Sequence, residues 1–339
     1  MQKGCAIMFY SFLIFLIRKI ISILVSISCV FTSPIFGINK APIEPIDSEN
    51  VKVTFATMSD IHMTDSFFRQ AILDIALSDL EDAESKLDAL VLCGDNTDFG
   101  QLNEYERLLK SFSTHDVAKN IIMSNGNHDT WTEEGKYELA RDYFIDYTNK
   151  ITGNNIENEY YTKKINGYTF IVLGSQLRRT MAYFTQEQID WFANEMEIAS
   201  KDGKPIFVIS HWPLNQTHGL TGSFENGDRE SMDFGIGEQS DLINEIMQKY
   251  NNVFLISGHL HYGFANEFTS KLYKYASVEK AGNVTSINLP SLMYMTVYGE
   301  ILNGSGFVFE VYENEIVIRA RNYITGAWDD RFTQTIELA

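Results

Sequence analysis

Short apolar runs recur along the chain, and five of them end in a polar side chain that can bind a metal or carry a proton. Their β-branched and apolar residues predict buried strands. Between most of these runs, apolar residues recur at helical spacing and predict amphipathic helices. The predicted strands are 51–58, 89–93, 120–124, 205–210 and 253–257, and the predicted helices are 67–87, 102–112, 134–148, 185–199 and 241–250.

This alternation predicts an α/β fold with a site at the carboxyl ends of its strands. Beyond residue 285 only strands are indicated, and we expect this tail to extend a second sheet. The predicted architecture is therefore two packed mixed β-sheets flanked by helices. The additional predicted strands are 160–165 and 168–173, which form a hairpin, and 306–312, 315–323 and 332–337.

The first 37 residues differ from the rest of the chain. They contain Lys3, Arg18 and Lys19, no acidic residue, and two apolar runs. The run after Lys19 has the length of a signal-peptide core and is too short to span a bilayer. We interpret residues 1–37 as a signal peptide, with an uncleaved N-terminal membrane anchor as the alternative, and expect an extracytoplasmic protein. Lipidation at Cys29 is a further alternative.

The remainder is predicted to be a linker and one domain. Residues 38–50 contain two prolines and no apolar periodicity, which indicates a linker. The domain then covers 51–339, with its strand-only part, about 285–339, as a C-terminal extension. Only three cysteines occur, so we expect no disulfide framework and interpret Cys93 as a core residue.

Composition limits the possible partners. The 339 residues are 45% hydrophobic and 21% charged, which is typical of a globular protein with a large core. All 45 acidic residues but only 24 of the 27 basic residues follow residue 37, so residues 38–339 carry a formal charge of −21. Such a surface repels nucleic acid, which argues against a nucleic-acid partner.

Five of the seven histidines follow predicted strands, together with two aspartates and one asparagine. Each residue alone fits an ordinary polar turn or a buried structural role. As a set they favour a site, because unrelated structural histidines have no reason to gather at one sheet edge. Carboxylates, imidazoles and an amide suit hard to borderline divalent metals. The set is Asp60, His62, Asp95, Asn127, His128, His211, His259 and His261.

The order of these residues carries a family resemblance. It is closest in the segments Asp60-x-His62, Gly94-Asp95, Gly126-Asn127-His128-Asp129, His211 and Gly258-His259-x-His261. Over about residues 52–262 the chain closely resembles the calcineurin-like metallophosphoesterase superfamily. The resemblance implies a four-layer αββα sandwich and a two-metal centre that hydrolyses phosphoesters by attack of a metal-bridging hydroxide.

The resemblance also implies a role for each residue. Asp95 would bridge the two ions, which suits a carboxylate because its oxygens can be shared. His128 would stay uncoordinated and act on a phosphoryl oxygen or as an acid for the leaving alkoxide, with Asp129 as its orienting partner. One ion would have Asp60, His62 and His261 as ligands, and the other Asn127, His211 and His259.

Some segments depart from one branch and resemble another. Purple acid phosphatases place a Tyr three residues after the bridging Asp, where this chain has Asp98. The segments 94–100 and 210–213 are more similar to the bacterial cyclic-nucleotide phosphodiesterase branch. Because Asp98 stands in place of that Tyr, we expect no iron-phenolate colour.

Two further segments have alternative interpretations. The stretch 213–240 is long for a connector and follows a predicted ligand, which indicates a lid over the substrate. Its His218 and Arg229, like Arg178 and Arg179, are either phosphate contacts or, as we favour, solvated residues.

The sequence thus predicts an exported phosphoesterase that uses two divalent ions, Mn, Zn or Fe, on small-molecule phosphomonoesters or phosphodiesters. A nuclease of the same superfamily is disfavoured by the acidic charge and by the lack of a basic aromatic groove. A catalytically silent binding or scaffold module is the alternative outside the enzymes. The intact His128 and the full ligand set argue against it.

Overall fold

The computed structural model describes residues 41–131, 136–177, 182–219, 235–266, 275–293 and 304–339. The predicted leader, Arg178, Arg179, Arg229 and most of the predicted lid lie outside these residues. Within the described ranges, no helix combines the length and the apolar composition needed to cross a membrane.

The described chain contains strands and helices in the predicted alternation. Most of their bounds lie within a few residues of the prediction. The helices are α1 (Phe67–Glu81), α2 (Leu102–Thr114), α3 (Tyr137–Thr152), α4 (Gln186–Ser200) and α5 (Ser240–Met247). The strands are β1 (Val53–Met58), β2 (Ala89–Cys93), β3 (Ile121–Ser124), β4 (Tyr161–Ile165), β5 (Tyr168–Val172), β6 (Ile206–Ile209), β7 (Val253–Ser257), β8 (Val278–Ala281), β9 (Val284–Asn288), β10 (Ser305–Val311), β11 (Glu315–Asn322), β12 (Ala327–Trp328) and β13 (Gln334–Glu337).

The strands form two mixed sheets. The first has the order β12-β11-β10-β1-β2-β3, with β13 paired to β11, and the second has the order β4-β5-β6-β7-β9-β8. In the first sheet β1, β2 and β3 are parallel. In the second sheet β5, β6, β7 and β9 are parallel. The carboxyl ends of each parallel set therefore lie along one edge of its sheet.

The two sheets pack face to face, and helices cover their outer faces. Phe55 of the first sheet lies with its ring 5.2 Å from Phe170 and 5.0 Å from Phe207 of the second. The next residue, Ala56, points outward because side chains alternate along a strand. Leu73, Leu77 and Leu108 of α1 and α2 pack on that outer face of the first sheet, and Phe192, Met196 and Ile243 of α4 and α5 pack on the second. The predicted architecture is confirmed.

The C-terminal tail joins a different sheet from the one expected. From residue 305 onward its strands lie in the first sheet, where β10 pairs antiparallel with β1 from Val53↔Val311 to Ala56↔Val308. The prediction that this tail extends the second sheet was therefore wrong. The apolar pattern predicts that a segment is a strand. Which sheet edge the strand pairs with depends on the tertiary structure.

Two other boundaries differ from the sequence expectations. Ile43, in the predicted linker, is 1% exposed, and its carbonyl accepts a hydrogen bond from Glu84 N at 3.0 Å. Residues 41–50 therefore pack on the domain. Helix α1 ends at Glu81 rather than 87, because Leu87 is extended and forms a bridge with Ala118.

A buried ion pair fastens the C-terminal tail to α1. The guanidinium of Arg321 on β11 donates two hydrogen bonds of 2.7 Å to the carboxylate of Asp79, and the two side chains are 1% and 4% exposed. Removing one member leaves an uncompensated buried charge. We therefore expect Asp79→Ala to lower the free energy of unfolding by about 3–5 kcal/mol in urea denaturation.

The control for this prediction is Asp146→Ala, which removes the exposed partner of Lys150 within α3. An exposed pair of this kind contributes about 0.3–0.5 kcal/mol. Equal, small losses for the two variants would show that the Asp79 pair does not hold the tail.

Candidate metal centre

The predicted site residues come together at the carboxyl ends of strands from both sheets. In the first sheet they follow β1, β2 and β3, and in the second they follow β6 and β7. The first residues after each of these strands turn toward the same region. The convergence thus results from placing two parallel sets of strand ends next to each other.

Five of the seven predicted metal ligands have a left-handed backbone. This conformation is uncommon outside glycine and concentrates at functional sites. Backbone contacts hold it here, since Asp60 N donates to Gly94 O at 3.1 Å and His62 N donates to Asp95 O at 2.8 Å. The φ angles are 54° for Asp60, 47° for His62, 49° for Asp95, 70° for His259 and 51° for His261.

Two glycines allow the loops to approach one another. A Cβ atom on Gly126 would lie 2.1 Å from Asp95 Oδ1, and one on Gly258 would lie 1.8 Å from Ser59 Oγ. These distances are too short for any side chain. Both positions therefore require glycine, which explains the Gly126-Asn127 and Gly258-His259 pairs in the sequence.

The first group of ligands consists of Asp60, His62, Asp95 and His261. His261 Nε2 lies 3.0 Å from Asp60 Oδ1 and 3.2 Å from His62 Nε2. His62 Nε2 also lies 3.6 Å from Asp95 Oδ2. Two imidazole nitrogens and two carboxylates thus converge within the distance that one cation can bridge.

The second group consists of Asp95, His211 and His259. His211 Nε2 lies 3.2 Å from Asp95 Oδ2, while its Nδ1 lies 2.8 Å from the carbonyl oxygen of Cys93. A bond from Nδ1–H to this carbonyl would leave Nε2 directed toward Asp95. Asp95 belongs to both groups, as expected for a bridging ligand. Cys93 itself is fully buried between the sheets.

The polar atoms of these groups fit divalent cations. Within the described part of the chain, Asp60 Oδ1, Asp95 Oδ2, Asn127 Oδ1 and His211 Nε2 are buried and make no hydrogen bond of acceptable geometry. Asp95 Oδ2 lies 3.2 Å from His211 Nε2 and in one group with Asp60. Buried carboxylates and imidazoles without hydrogen bonds are costly unless a charge compensates them. Cations coordinated by these atoms would supply that compensation.

The electrostatics of the first group favours the protonation states that bind metal. Burial opposes ionisation of Asp60, but His261 outweighs it and lowers the pKa of Asp60 to about 2. Burial, followed by the nearby His128, lowers the pKa of His62 to about 4 against the opposing effect of Asp98. Asp60 is then ionised and His62 neutral at neutral pH, as metal coordination requires.

In the second group, the carboxylate of Asp95 and the imidazole of His211 shift each other's pKa. Burial opposes ionisation of Asp95, but the attraction of His211 outweighs it and holds the pKa of Asp95 well below its usual value. Burial also disfavours charge on His211, yet Asp95 outweighs this and raises the pKa of His211 to about 9. A cation that coordinated His211 would therefore displace a proton.

His128 lies beside the first group, and one of its ring nitrogens contacts the backbone of the protein. Its Nδ1 lies 2.7 Å from the carbonyl oxygen of Asp98 and 3.6 Å from Asp98 Oδ1. Its backbone N–H donates to Asp95 Oδ1 at 2.9 Å. The side chain is 18% exposed, more than His62 at 0%. Nε2 is thus the nitrogen available for a substrate.

The orienting partner of His128 differs from the expected one. The carboxylate of Asp129 accepts hydrogen bonds from Gly126 N at 2.9 Å, from both nitrogens of Asn96, and from Thr97 N and Oγ1. It therefore ties the β3 loop to the β2 loop and does not contact the imidazole, so its predicted orienting role is corrected. Neighbours in sequence point in different directions here, and the contact to His128 comes from Asp98.

Sequence reasoning noted Asp98 only as a departure from Tyr and missed its position. Asp98 Oδ1 lies 3.1 Å from Nδ1 of the ligand His62, so one residue contacts both His62 and His128. Its spacing of three residues from Asp95 was the available signal. Arg69 was also missed, and its Nη1 donates to His62 O at 3.0 Å.

His218 is buried rather than solvated. It is 0% exposed, and its Nδ1 lies 2.8 Å from the carbonyl oxygen of Ala276. The described part of the predicted lid is thus anchored on the segment before β8. The expectation of a solvated His218 was wrong, because loop composition does not show which residues pack beneath the loop.

Comparison with known proteins agrees with the fold and with the family resemblance. A search of curated proteins found no match to this chain. Among solved structures, a dimetal phosphatase from Danio rerio superposes with a TM-score of 0.57 at 12% identity, covering 86% of this chain and 100% of that chain. A purple acid phosphatase from yellow lupin (Lupinus luteus) seeds gives a TM-score of 0.57 at 11% identity, covering 84% of this chain and 53% of that chain. These likenesses concern the fold.

The family assignment comes from the sequence itself. The model of the calcineurin-like phosphoesterase family matches residues 53–263, which is more than half of the chain. The match covers the strands β1 to β7 and all of the predicted metal ligands. The chain therefore belongs to the calcineurin-like phosphoesterase family of metal-dependent phosphoric ester hydrolases.

Proposed function

We propose that this protein uses two divalent ions to hydrolyse phosphomonoesters or phosphodiesters of small molecules outside the cytoplasm. The observation that carries the two-ion proposal is the position of Asp95, whose carboxylate belongs to both ligand groups. The buried atoms without hydrogen bonds on both sides of it support the same conclusion. The donor set of carboxylates, imidazoles and an amide suits Mn, Zn or Fe.

The two ligand groups would hold the ions in the arrangement that the family resemblance implies. Asp60, His62 and His261 would bind one ion, and Asp95 would be shared. Asn127, His211 and His259 would bind the other. Such ions would polarise a phosphoryl group and lower the pKa of bound water toward neutrality.

The protein's own contribution to the reaction is proton transfer and orientation. Hydrolysis of a phosphoester needs a proton for the leaving oxygen. The contact from His128 Nδ1 to Asp98 O fixes the ring, so that protonated Nε2 can donate to a phosphoryl oxygen or to the leaving oxygen. Asp60, His62, Asp95 and His211 are buried, while His128, Asn127, His259 and His261 are partly exposed, so a substrate would enter from the side of these four residues.

A small substrate fits the charge of the chain. Residues 38–339 carry a formal charge of −21, which disfavours a polyanionic nucleic acid. The dimetal phosphatase from Danio rerio has a similar fold, and we extend phosphatase activity to this chain as part of the proposal. Nuclease activity is the second candidate function, and one outcome of the test below would favour it.

The first prediction concerns the activity itself. Metal-loaded protein should hydrolyse at least one of three substrate types, a phosphomonoester, a phosphodiester or a cyclic nucleotide, and metal analysis should give about two ions per chain. Treatment with a chelator should abolish turnover, and Mn or Zn should restore it. Bound metal without turnover on any ester would favour the scaffold alternative, and turnover only on oligonucleotides would favour the nuclease.

The second prediction concerns His128. Because its Nε2 is the free proton donor, His128→Ala should lower kcat by about 10²–10⁴-fold while the metal content stays at the parental value. Steady-state kinetics and metal analysis on the same preparation measure both quantities.

The matched control is His115→Ala, because His115 lies at the end of α2 and contacts Glu81 rather than the ligands. This variant should keep the parental kcat. A kcat near the parental value in His128→Ala would refute the role proposed for that imidazole.

The third prediction concerns residues 1–37, whose basic and apolar pattern we propose to be an export signal. Full-length protein expressed in bacteria should be recovered outside the cytoplasm with a new N-terminus at Cys29 or Ile38, as read by N-terminal sequencing. A chain that starts at Ile38 should stay in the cytoplasm. An intact Met1 on cytosolic full-length protein would contradict export.

A further inference from the structure

Trp131 lies next to His128 and Phe99 lies next to Trp131, and neither side chain is among the candidate metal ligands. We propose that Phe99 and Trp131 form an aromatic subsite for the leaving group, so that the preferred substrates are phosphoesters of apolar, uncharged and preferably aromatic alcohols. This inference rests on the function proposed above and specifies the substrate class for the same site.

The geometry places the indole of Trp131 against the catalytic imidazole. The Trp131 and His128 ring centroids are 5.5 Å apart with the planes at 59°. The rings of Phe99 and Trp131 are 6.4 Å apart at 64°. Both aromatic side chains are partly buried, so each keeps a surface for a ligand.

Both rings are held by the loops that carry the site residues. Trp131 N donates to His128 O at 3.2 Å, and Phe99 N donates to Glu104 Oε2 at 2.9 Å. Asp129 joins these two loops through the backbone of Thr97 and Gly126. The subsite is therefore held in place by the same contacts that hold His128, which reduces the ordering cost of binding.

The chemistry identifies which part of the substrate reaches these rings. A proton donor must lie within hydrogen-bond reach of the leaving oxygen. The organic group attached to that oxygen is one bond further away. It must therefore contact the side chains that surround the proton donor, His128. Trp131 packs directly on His128. The leaving group thus lies closest to Trp131, with Phe99 behind it.

The local charge favours an uncharged leaving group. The carboxylate of Asp98 is 17% exposed, and Asp98 directly precedes Phe99 in the chain. The same residue contacts His62 and His128, so its position is fixed. A leaving group with additional phosphates would be repelled there, whereas an aromatic ring gains stacking contacts.

The test uses two esters whose alcohols leave as primary alkoxides. Benzyl phosphate and ethyl phosphate differ mainly in the aromatic ring, and each is assayed both as the monoester and as its methyl diester. We expect kcat/KM to be about 10-fold higher for the benzyl ester, consistent with one aromatic contact. Trp131→Ala should remove this preference, Phe99→Ala should reduce it, and Trp131→Phe should retain most of it.

The control variant is Ile198→Ala, which truncates an exposed apolar side chain on α4, 43% exposed and outside the site. It should keep the parental preference. The thermal midpoint of each variant shows whether it is folded. If Trp131→Ala does not fold, the single variants Trp131→Phe and Phe99→Ala test whether the rings cause the benzyl preference.

The outcomes separate this inference from the proposed function. No turnover of any ester by the metal-loaded parent would refute the function, and with it the subsite. Turnover without a benzyl preference would refute the subsite alone. An equal loss for both esters in Trp131→Ala would show that Trp131 only positions His128, and would also overturn the subsite.

Discussion

The carboxylate of Asp95 is the group on which the site depends, because it lies between ligands contributed by both sheets. It approaches His62 after β1 and His211 after β6 through the same oxygen, at 3.6 and 3.2 Å. In a buried environment an ionised carboxylate is stable only when positive charge surrounds it. His211, whose pKa is raised by Asp95, supplies part of that charge. The buried atoms without hydrogen bonds indicate where cations would supply the rest.

The rest of the fold keeps this arrangement rigid. Left-handed backbone at five ligands turns their side chains inward, and such conformations persist only where the surroundings hold them. Gly126 and Gly258 let neighbouring loops come within contact distance. Asp129 then joins the β2 and β3 loops through several hydrogen bonds. Asp129, predicted from the sequence to orient His128, thus supports the loops that carry the candidate site residues.

The site divides into a buried part and an accessible part. The candidate ligands Asp60, His62, Asp95 and His211 are buried. His128, with Nδ1 held by Asp98, is partly exposed, as are Asn127, His259 and His261. This division fits an enzyme in which cations activate the phosphoryl group and a protein side chain handles the proton. Trp131 packs on His128 and Phe99 packs on Trp131, which is where we propose that the leaving group lies.

The sequence by itself determined the helices, most of the strands and a set of candidate ligands, because burial periodicity and metal-binding residue types are local properties of the chain. Strands β8, β9 and β12 were not predicted. Asp60, His62 and Asp95 could be identified for that reason, and so could the α/β class. Only the tertiary structure decided that residues 305–339 join the sheet of β1, that Ile43 packs in the core and that Asp98 rather than Asp129 contacts His128. These outcomes depend on which edge is open and which direction a loop side chain points, and neither is encoded in the spacing of residue types along the chain.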